Sequence, residues 1–204
     1  AEEIFGGLKP HGRDHADPAR FEGGEYRKVK TLEQAHFTLA FEGPGYRDED
    51  IYIAQTATTA LGGGMSSRLF QELREKRGLC YTIYAQSGAY CDTGLTTIYA
   101  GTSGDQVAEL AEVTIDEMKR AASEMTLIEV DRARAQIKAG LLMGLESPSS
   151  RSERNARMLG IWGRIPPLEE TVRRIDAVTL DNVRAFLMQT GMGKASMALY
   201  GPVK

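Results

Sequence analysis

The feature that most constrains the fold is a pair of long stretches in which polar and apolar residues alternate. They cover residues 79–90 and 95–101, and Asp92-Thr93-Gly94 lies between them. Alternation with a period of two is typical of half-buried strands, and a short Gly-containing loop predicts that they form a hairpin. Residues 34–41 alternate in the same way, and residues 195–200 form a short closing strand. The pattern therefore predicts an antiparallel sheet.

Two helices are expected between the first strand and the hairpin. Residues 48–61 carry apolar positions at helical spacing, and the run Gly62-Gly63-Gly64 ends that helix. A second helix is predicted over residues 68–76. Ser66 or Ser67 is its expected N-cap, and Gly78 is expected at its C′ position.

After Gly104 the chain is predicted to be helical almost to the end. Three helix starts are expected, namely capping boxes at Thr126 to Glu129 and Ser150 to Glu153, and an N-cap at Thr179. Strands followed by helices and one returning strand are typical of the α+β class. We therefore expect an α+β fold in which helices pack on one face of an antiparallel sheet. Residues 1–23 are interpreted as a lead-in or linker segment, and residues 24–204 as one domain.

Charge and composition exclude several classes of protein. Lys and Arg number 25 against 28 Asp and Glu, so the net charge is −3, which argues against a dedicated nucleic-acid surface. No apolar run approaches the ~18 residues that span a bilayer. Two cysteines, Cys80 and Cys91, are too few for a disulfide scaffold, and we expect both to be reduced. With no signal-peptide pattern visible, a cytoplasmic location is expected. Because the chain does not begin with Met, it is interpreted as processed or as part of a longer protein.

The run His11-Gly-Arg-Asp-His15 has two His at i and i+4, a spacing that can hold a metal ion when it lies on a helix. Gly12 lies between Pro10 and Pro18, so a stable helix is not expected there. A polar surface loop is favoured, and no metal ligand is assigned in this chain. His36 lies on an alternating strand and is interpreted as a structural residue whose hydrogen-bonding needs are satisfied, not as a metal ligand.

The longest sequence signature covers residues 61–81. Its sequence is Leu-Gly-Gly-Gly-Met-Ser-Ser-Arg-Leu-Phe-Gln-Glu-Leu-Arg-Glu-Lys-Arg-Gly-Leu-Cys-Tyr. It resembles the signature of the C-terminal, non-zinc half of M16 metallopeptidases, the family of mitochondrial processing peptidase and insulin-degrading enzyme. Further matching pieces follow in family order at residues 90–94, 137–147, 163–164, 176–179 and 200–202. The resemblance implies a LuxS/M16 metallohydrolase-like domain.

The resemblance also implies which residues act and which partner is needed. In this family the N-terminal half binds zinc through His-x-x-Glu-His, a pattern this chain lacks, so zinc is expected in a partner half or subunit. Active members place an Arg and a Tyr seven residues apart in the second half, and Arg74 and Tyr81 match them. Gly62, Gly63, Gly64 and Ser66 are assigned to substrate binding, although such a glycine run before a helix is also typical of a flexible turn that allows close approach of another backbone. An Arg near a helix C-terminus and a Tyr in a strand are also common for structural reasons alone.

Three functions remain open at this point. The first is the C-terminal half of a zinc metalloendopeptidase, a hydrolase acting on peptides, with a homo- or heterodimer as one arrangement of the halves. This half alone is expected to be inactive. The second is a non-catalytic scaffold subunit of the same family, like the core proteins of a respiratory complex. The third is an unrelated ligand-binding module that uses the turn at residues 62–67.

Overall fold

The computed structural model describes residues 2–7 and 17–203. Within these ranges, five strands form one sheet in the order β1-β5-β2-β4-β3. Their bounds are β1 Gly24–Val29, β2 Ala35–Gly43, β3 Thr82–Ala89, β4 Gly94–Thr102 and β5 Ala195–Gly201. The pairs β2–β4, β2–β5 and β3–β4 are antiparallel. The α+β prediction and the predicted hairpin are therefore confirmed.

The sheet contains one strand, β1, that the sequence pattern does not predict. β1 pairs with β5 in parallel, with Gly24 opposite Ser196 and Val29 opposite Gly201, so the sheet is mixed. All six of its residues are exposed. No residue of β1 enters the core, and the strand consequently carries no period-two hydrophobic pattern that could reveal it.

Helices follow the strands, as predicted, along most of the described chain after β4. The helices in the described residues are α1 Glu2–Phe5, α2 Ile51–Gly62, a π-helix at Phe70–Lys76, α3 Val107–Glu124, α4 Leu127–Gly144, α5 Pro148–Trp162, α6 Leu168–Asp176 and α7 Leu180–Met192. None of them combines the length and apolar content needed to cross a bilayer.

The core lies between the helices and one face of the sheet. Phe37, Leu39 and Phe41 of β2 alternate into it, with the burial that their spacing predicts. Leu61 of α2 and Leu110 of α3 are among the fully buried side chains that cover this face. Burial of such a side chain contributes about 1.5–3 kcal/mol, so the alternation fixes which sheet face receives the helices.

Two of the three predicted helix starts are confirmed. Thr126 caps α4 in a capping box with Glu129, and Thr179 caps α7 with Asn182. The predicted box at Ser150 is wrong, because α5 begins three residues earlier, with Ser147 as the N-cap and Pro148 in the first turn. Proline favours that first helical position, where its missing N–H is not needed.

Candidate functional site

A short helix between α2 and β3 carries the first candidate residue, Arg74. Residues 68–76 are helical, as predicted, but Phe70–Lys76 forms a π-helix. The expected serine cap is absent: Ser67 Oγ instead donates to the Gly64 carbonyl oxygen at 2.5 Å. At the other end Gly78 has φ +63°, which is the left-handed conformation predicted for its C′ position.

The reversal at Gly78 brings Arg74 and Tyr81 into contact. The Arg74 guanidinium carbon lies 5.3 Å from the centre of the Tyr81 ring and 4.6 Å from that of Phe70. Both distances fall within the range of cation–π attraction. Tyr81 is 71% exposed, while its backbone N–H donates to the Gly101 carbonyl oxygen at 3.1 Å. The two residues therefore project together beside the start of β3.

Arg74 differs from the other cations of this helix in its electrostatic partners. Lys76 and Arg77 both bind the Glu72 carboxylate, at 2.9 and 3.1 Å. The hydrogen bond from Lys76 is the main cause of the lowered Glu72 pKa. In residues 2–7 and 17–203, no carboxylate lies within ion-pair distance of the Arg74 guanidinium. Its N–H donors are therefore available to a ligand.

Cys80, next to Tyr81 in the sequence, is buried. Burial raises the pKa of its thiol to about 11, and the nearby Arg74 charge only partly opposes the shift. A thiol with such a pKa is protonated at neutral pH and is a poor nucleophile. Both cysteines are free, as expected.

Arg68 holds the beginning of the same helix against α3 and α4. Its guanidinium binds Glu129 at 2.6 Å, Glu117 at 3.4 Å and the Glu124 carbonyl oxygen at 2.9 Å. The Arg68 and Glu117 side chains are only 13% and 6% exposed, so screening by solvent is weak. This clamp fixes the position of the helix that carries Arg74.

The Gly-rich turn packs against its neighbours. A Cβ atom on Gly62 would lie 2.4 Å from the Ala85 nitrogen, and one on Gly63 would lie 2.6 Å from the Thr59 Cα. These two positions therefore require glycine for close packing of α2. Gly64 and Ser66 are exposed. The cavity between this turn and α4 measures about 10 Å³, which is room for about one water molecule and not for a peptide side chain.

A larger cavity of about 700 Å³ lies at the other end of the sheet. Phe41, Gly43 and Phe186 are among its lining residues. Gly43 pairs with Gly94 at the end of the sheet where β3 finishes, whereas Tyr81 precedes its first residue. Seven steps of ~3.3 Å put about 23 Å between the two ends of β3. The cavity is therefore separate from the Arg74–Tyr81 pair.

Side chains that commonly bind zinc are dispersed in the described residues. Within residues 2–7 and 17–203, no three His, Cys, Asp or Glu side chains lie close enough together to hold a metal ion. The pattern from His11 to His15 lies outside the described residues. His36 is satisfied as expected, because its Nδ1 lies 2.7 Å from the Tyr99 hydroxyl oxygen.

Residues 1–137 match the family described as the peptidase M16 inactive domain. The chain belongs to this family. It is 34% identical over 203 residues to a protein named as an uncharacterized zinc protease of Rickettsia bellii, and 33% identical over 205 residues to the uncharacterized zinc protease YmxG of Bacillus subtilis. The matches cover 99% and 98% of this chain but 49% and 50% of those proteins, so the chain spans about half the length of these relatives.

Solved structures confirm the fold of this M16 domain. The crystal structure of a peptidase M16 inactive domain from Pseudomonas fluorescens has a TM-score of 0.81, with 22% identity, covering 96% of this chain and 48% of that one. A chain of complex III from Candida albicans has a TM-score of 0.85, also at 22% identity, covering 98% of this chain and 51% of that one. At this identity the likeness shows the fold alone.

Proposed function

We propose that this chain is the substrate-binding, non-zinc half of an M16-type zinc metalloendopeptidase. Arg74 and Tyr81 act on a peptide whose scissile bond lies at zinc held by another half. The observation that carries the proposal is the contact of the Arg74 guanidinium with the exposed Tyr81 ring, at 5.3 Å. Arginine side chains pair with carboxylates or stack on aromatic rings, and in the described part of the chain Arg74 contacts two rings and forms no ion pair.

The chemistry of the pair suits peptide hydrolysis. A guanidinium donates to a peptide carbonyl oxygen, and a phenol O–H donates to the negative charge that develops on that oxygen during hydrolysis. Stacking on Phe70 and Tyr81 restricts Arg74 before substrate arrives, so less side-chain entropy is lost on binding. Zinc would supply the activated water, and its ligands belong to the other half in this proposal.

The partner is a zinc-bearing half with the His-x-x-Glu-His pattern, either in the same polypeptide or in a separate subunit. The first arrangement is supported by the length of the relatives, about twice that of this chain. Peptides are the proposed substrates, with Gly64 and Ser66 as exposed contacts and Gly62 and Gly63 as packing positions that shape the turn. Residues 1–23 are proposed as the lead-in and residues 24–204 as the domain. Two free thiols favour a reducing compartment such as the cytoplasm.

Tyr81→Phe tests the proposal in the protein that contains both halves. The substitution keeps the ring and its contact with Arg74 and removes only the hydroxyl donor. Loss of one such donor costs about 10²–10³ in kcat, and KM should change much less. The control is Tyr26→Phe on β1, because Tyr26 is also well exposed, at 57%, and lies at the opposite edge of the sheet.

The rival is a non-catalytic scaffold subunit of the same family. It predicts no peptide hydrolysis by the two-half protein, with zinc bound or not. If the protein cleaves peptides and Tyr81→Phe cleaves them at the parent rate, then the role given to Tyr81 is wrong.

A further inference from the structure

The cavity of about 700 Å³ at the far end of the sheet has an aromatic lining. Three phenylalanine side chains from separate parts of the chain contribute to it: Phe21 before β1, Phe41 on β2 and Phe186 on α7. Phe41 is buried, and the other two are half-buried. Sites for small molecules have volumes of about 300–1,000 Å³ and are lined mainly by apolar and aromatic side chains. The cavity therefore has the size and the lining of such a site.

Four carboxylates and one ammonium group also line this cavity. The acids are Glu42 near the end of β2 and Asp48, Glu49 and Asp50 before α2, and the base is Lys194. All five residues are exposed, and within residues 2–7 and 17–203 none of them forms an ion pair. A cleft lined by an excess of one charge attracts ligands of the opposite charge. The excess of acids therefore favours a cationic ligand.

Most of these acids have no structural task in the described part of the chain. Asp48 is the exception, because its Oδ2 accepts from the Gly45 backbone N–H at 2.6 Å and so shapes the turn after β2. Asp50 occupies the N-cap position of α2, but its side chain makes no capping hydrogen bond. The carboxylates of Asp50, Glu42 and Glu49 are consequently available to a ligand.

A buried hydroxyl group provides an independent sign of a ligand. Thr190 on α7 lines the cavity and is only 7% exposed. Thr56, Thr58 and Thr114 are also buried on helices, and each donates to the carbonyl oxygen four residues earlier. The Thr190 hydroxyl has no such hydrogen bond within the described residues. Because a buried polar group without a partner is costly, this hydroxyl is suited to bind a polar atom of a ligand.

We propose that this cavity binds a small organic cation. The ligand has an apolar body that packs against the phenylalanine rings, a polar atom that bonds with Thr190 and an ammonium group that faces the exposed carboxylates. Burial of the apolar body supplies affinity, and the charge selects a cation over neutral or anionic molecules of the same shape. The inference goes beyond the proposed function, because the cavity lies at the opposite end of β3 from Arg74 and Tyr81.

Fluorescence titration with dansylcadaverine tests the site in the protein with both halves. This compound joins a naphthalene ring to a primary amine through a sulfonamide and a five-carbon chain, so it has all three features of the proposed ligand. Its emission should rise when the ring leaves water. N-pentyl dansylamide, which has no amine, should bind about two- to fivefold more weakly, as expected for the loss of an exposed ion pair. The dansyl derivative of 6-aminohexanoic acid carries a carboxylate instead and should bind more weakly still.

Two pairs of substitutions test the role of the carboxylates. Glu42→Gln with Glu49→Gln removes two negative charges from the cavity. This variant should bind dansylcadaverine about five- to tenfold more weakly, as for two exposed ion pairs, and N-pentyl dansylamide as the parent does. The control, Glu109→Gln with Glu112→Gln on α3, makes the same change in net charge at exposed positions outside the cavity. It should bind both ligands as the parent does.

Thr190→Val tests whether the ligand enters the cavity. The substitution nearly conserves the size of the side chain and removes its hydroxyl group. Dansylcadaverine and N-pentyl dansylamide should both bind about two- to tenfold more weakly, as expected for one lost hydrogen bond. Thermal unfolding confirms that all three variants fold.

Several outcomes would overturn the inference. Absence of binding to the parent protein would mean that the zinc-bearing half or residues 8–16 fill the cavity. An affinity that falls as the protein concentration rises would mean that a second copy occupies it. Equal affinity for the three dansyl compounds would remove the role of the carboxylates. Unchanged binding in Thr190→Val would mean that the cation is held by surface acids alone, outside the cavity.

Discussion

The guanidinium carbon of Arg74 lies 5.3 Å from the centre of the Tyr81 ring, because the chain reverses between them at Gly78. The φ of +63° at Gly78 is one that residues with a Cβ adopt at a cost. A helix C-terminus and a strand start are thereby joined by a turn short enough to place two side chains side by side. The proposed mechanism depends on this local geometry.

Arg74→Ala should impair both substrate binding and catalysis in the protein with both halves. A guanidinium can hold the substrate carbonyl before the reaction as well as during it, so KM should rise and kcat should fall. A hydrogen bond from a charged group contributes about 1.5–3 kcal/mol, which corresponds to about 10- to 100-fold in kcat/KM. Steady-state kinetics on a fluorogenic peptide measures both parameters.

Lys76→Ala is the matched control for Arg74. Lys76 lies two residues further along the same π-helix, is 67% exposed and binds Glu72. Its loss should leave kcat/KM within about twofold of the parent. An exposed ion pair contributes at most about 1 kcal/mol, and that contribution is to the stability of the fold and not to catalysis. Equal losses in the two variants would indicate a general effect of positive charge and would contradict a specific role for Arg74.

The strands that bury one face could be predicted from the sequence, and the exposed strand could not. Alternating burial in β2, β3 and β4 leaves a period-two pattern in the residues themselves. β1 is held by backbone pairing with β5 across a long stretch of sequence, and that pairing leaves no local pattern. The error at Ser150 had another cause, since the prediction took no account of the preference of Pro148 for the first helical turn, which makes Ser147 the N-cap.

At the candidate site the sequence predicts the pair but not its supports. Arg74 and Tyr81 are joined by a short turn, so their proximity follows from a helix end, a glycine and a strand start. The platform provided by Phe70 depends on where the π-helix places that ring. The clamp of Arg68 on Glu117 and Glu129 joins residues 49 and 61 positions apart. Contacts at such separations arise from tertiary packing and carry no local sequence signal.

Thr126→Ala should destabilise the domain by about 1 kcal/mol, with a range of about 0.5–2 kcal/mol for the loss of an N-cap. The Thr126 side chain accepts from the Glu129 backbone N–H, and its hydroxyl donates to the Glu129 carboxylate at 2.8 Å. Because Glu129 also binds Arg68, the loss should fall in the upper part of that range. Urea unfolding of the parent and the variant gives the difference.

Comparing Ser150→Ala with Ser147→Ala tests which serine is the N-cap of α5. Ser150 lies inside α5 and is exposed, so its replacement should change the free energy of unfolding by less than about 0.5 kcal/mol. Ser147→Ala should cost about as much as a lost N-cap, since Ser147 accepts from the Ser150 N–H. A larger effect at Ser150 than at Ser147 would show that α5 begins later than in this structure.

The two cysteines should react with iodoacetamide at very different rates. Cys91 is exposed, whereas Cys80 is 7% exposed and has a thiol pKa raised to about 11 by burial. The thiolate is the reactive species, so Cys80 should stay unmodified in the folded protein after Cys91 has been alkylated. Mass spectrometry of the proteolysed protein identifies the modified residue. In urea both should react, and equally rapid modification in the native protein would contradict the burial of Cys80.

The dependence of stability on pH should reveal the buried carboxyl of Glu117. Burial raises its pKa above the ordinary 4.5, despite the opposing charges of Arg120 and Arg68. The folded state consequently binds this proton more tightly than the unfolded state does. A raised carboxyl pKa contributes stability that is fully present below pH 4.5 and is lost as the pH rises through the folded pKa.

Glu117→Gln removes this titration, because a glutamine stays neutral at every pH. Relative to the parent, the variant should therefore gain stability between pH 4.5 and neutrality, whatever the absolute effect of losing the ion pairs with Arg68 and Arg120. Denaturant unfolding at several pH values gives the free energy of unfolding of the parent and the variant. The prediction concerns the difference between their slopes against pH. Glu124→Gln, on the same helix but 54% exposed, separates burial from the mere loss of a negative charge. If Glu117→Gln instead loses stability relative to the parent as the pH rises, then attraction to the two arginines outweighs burial, and the Glu117 pKa is lowered.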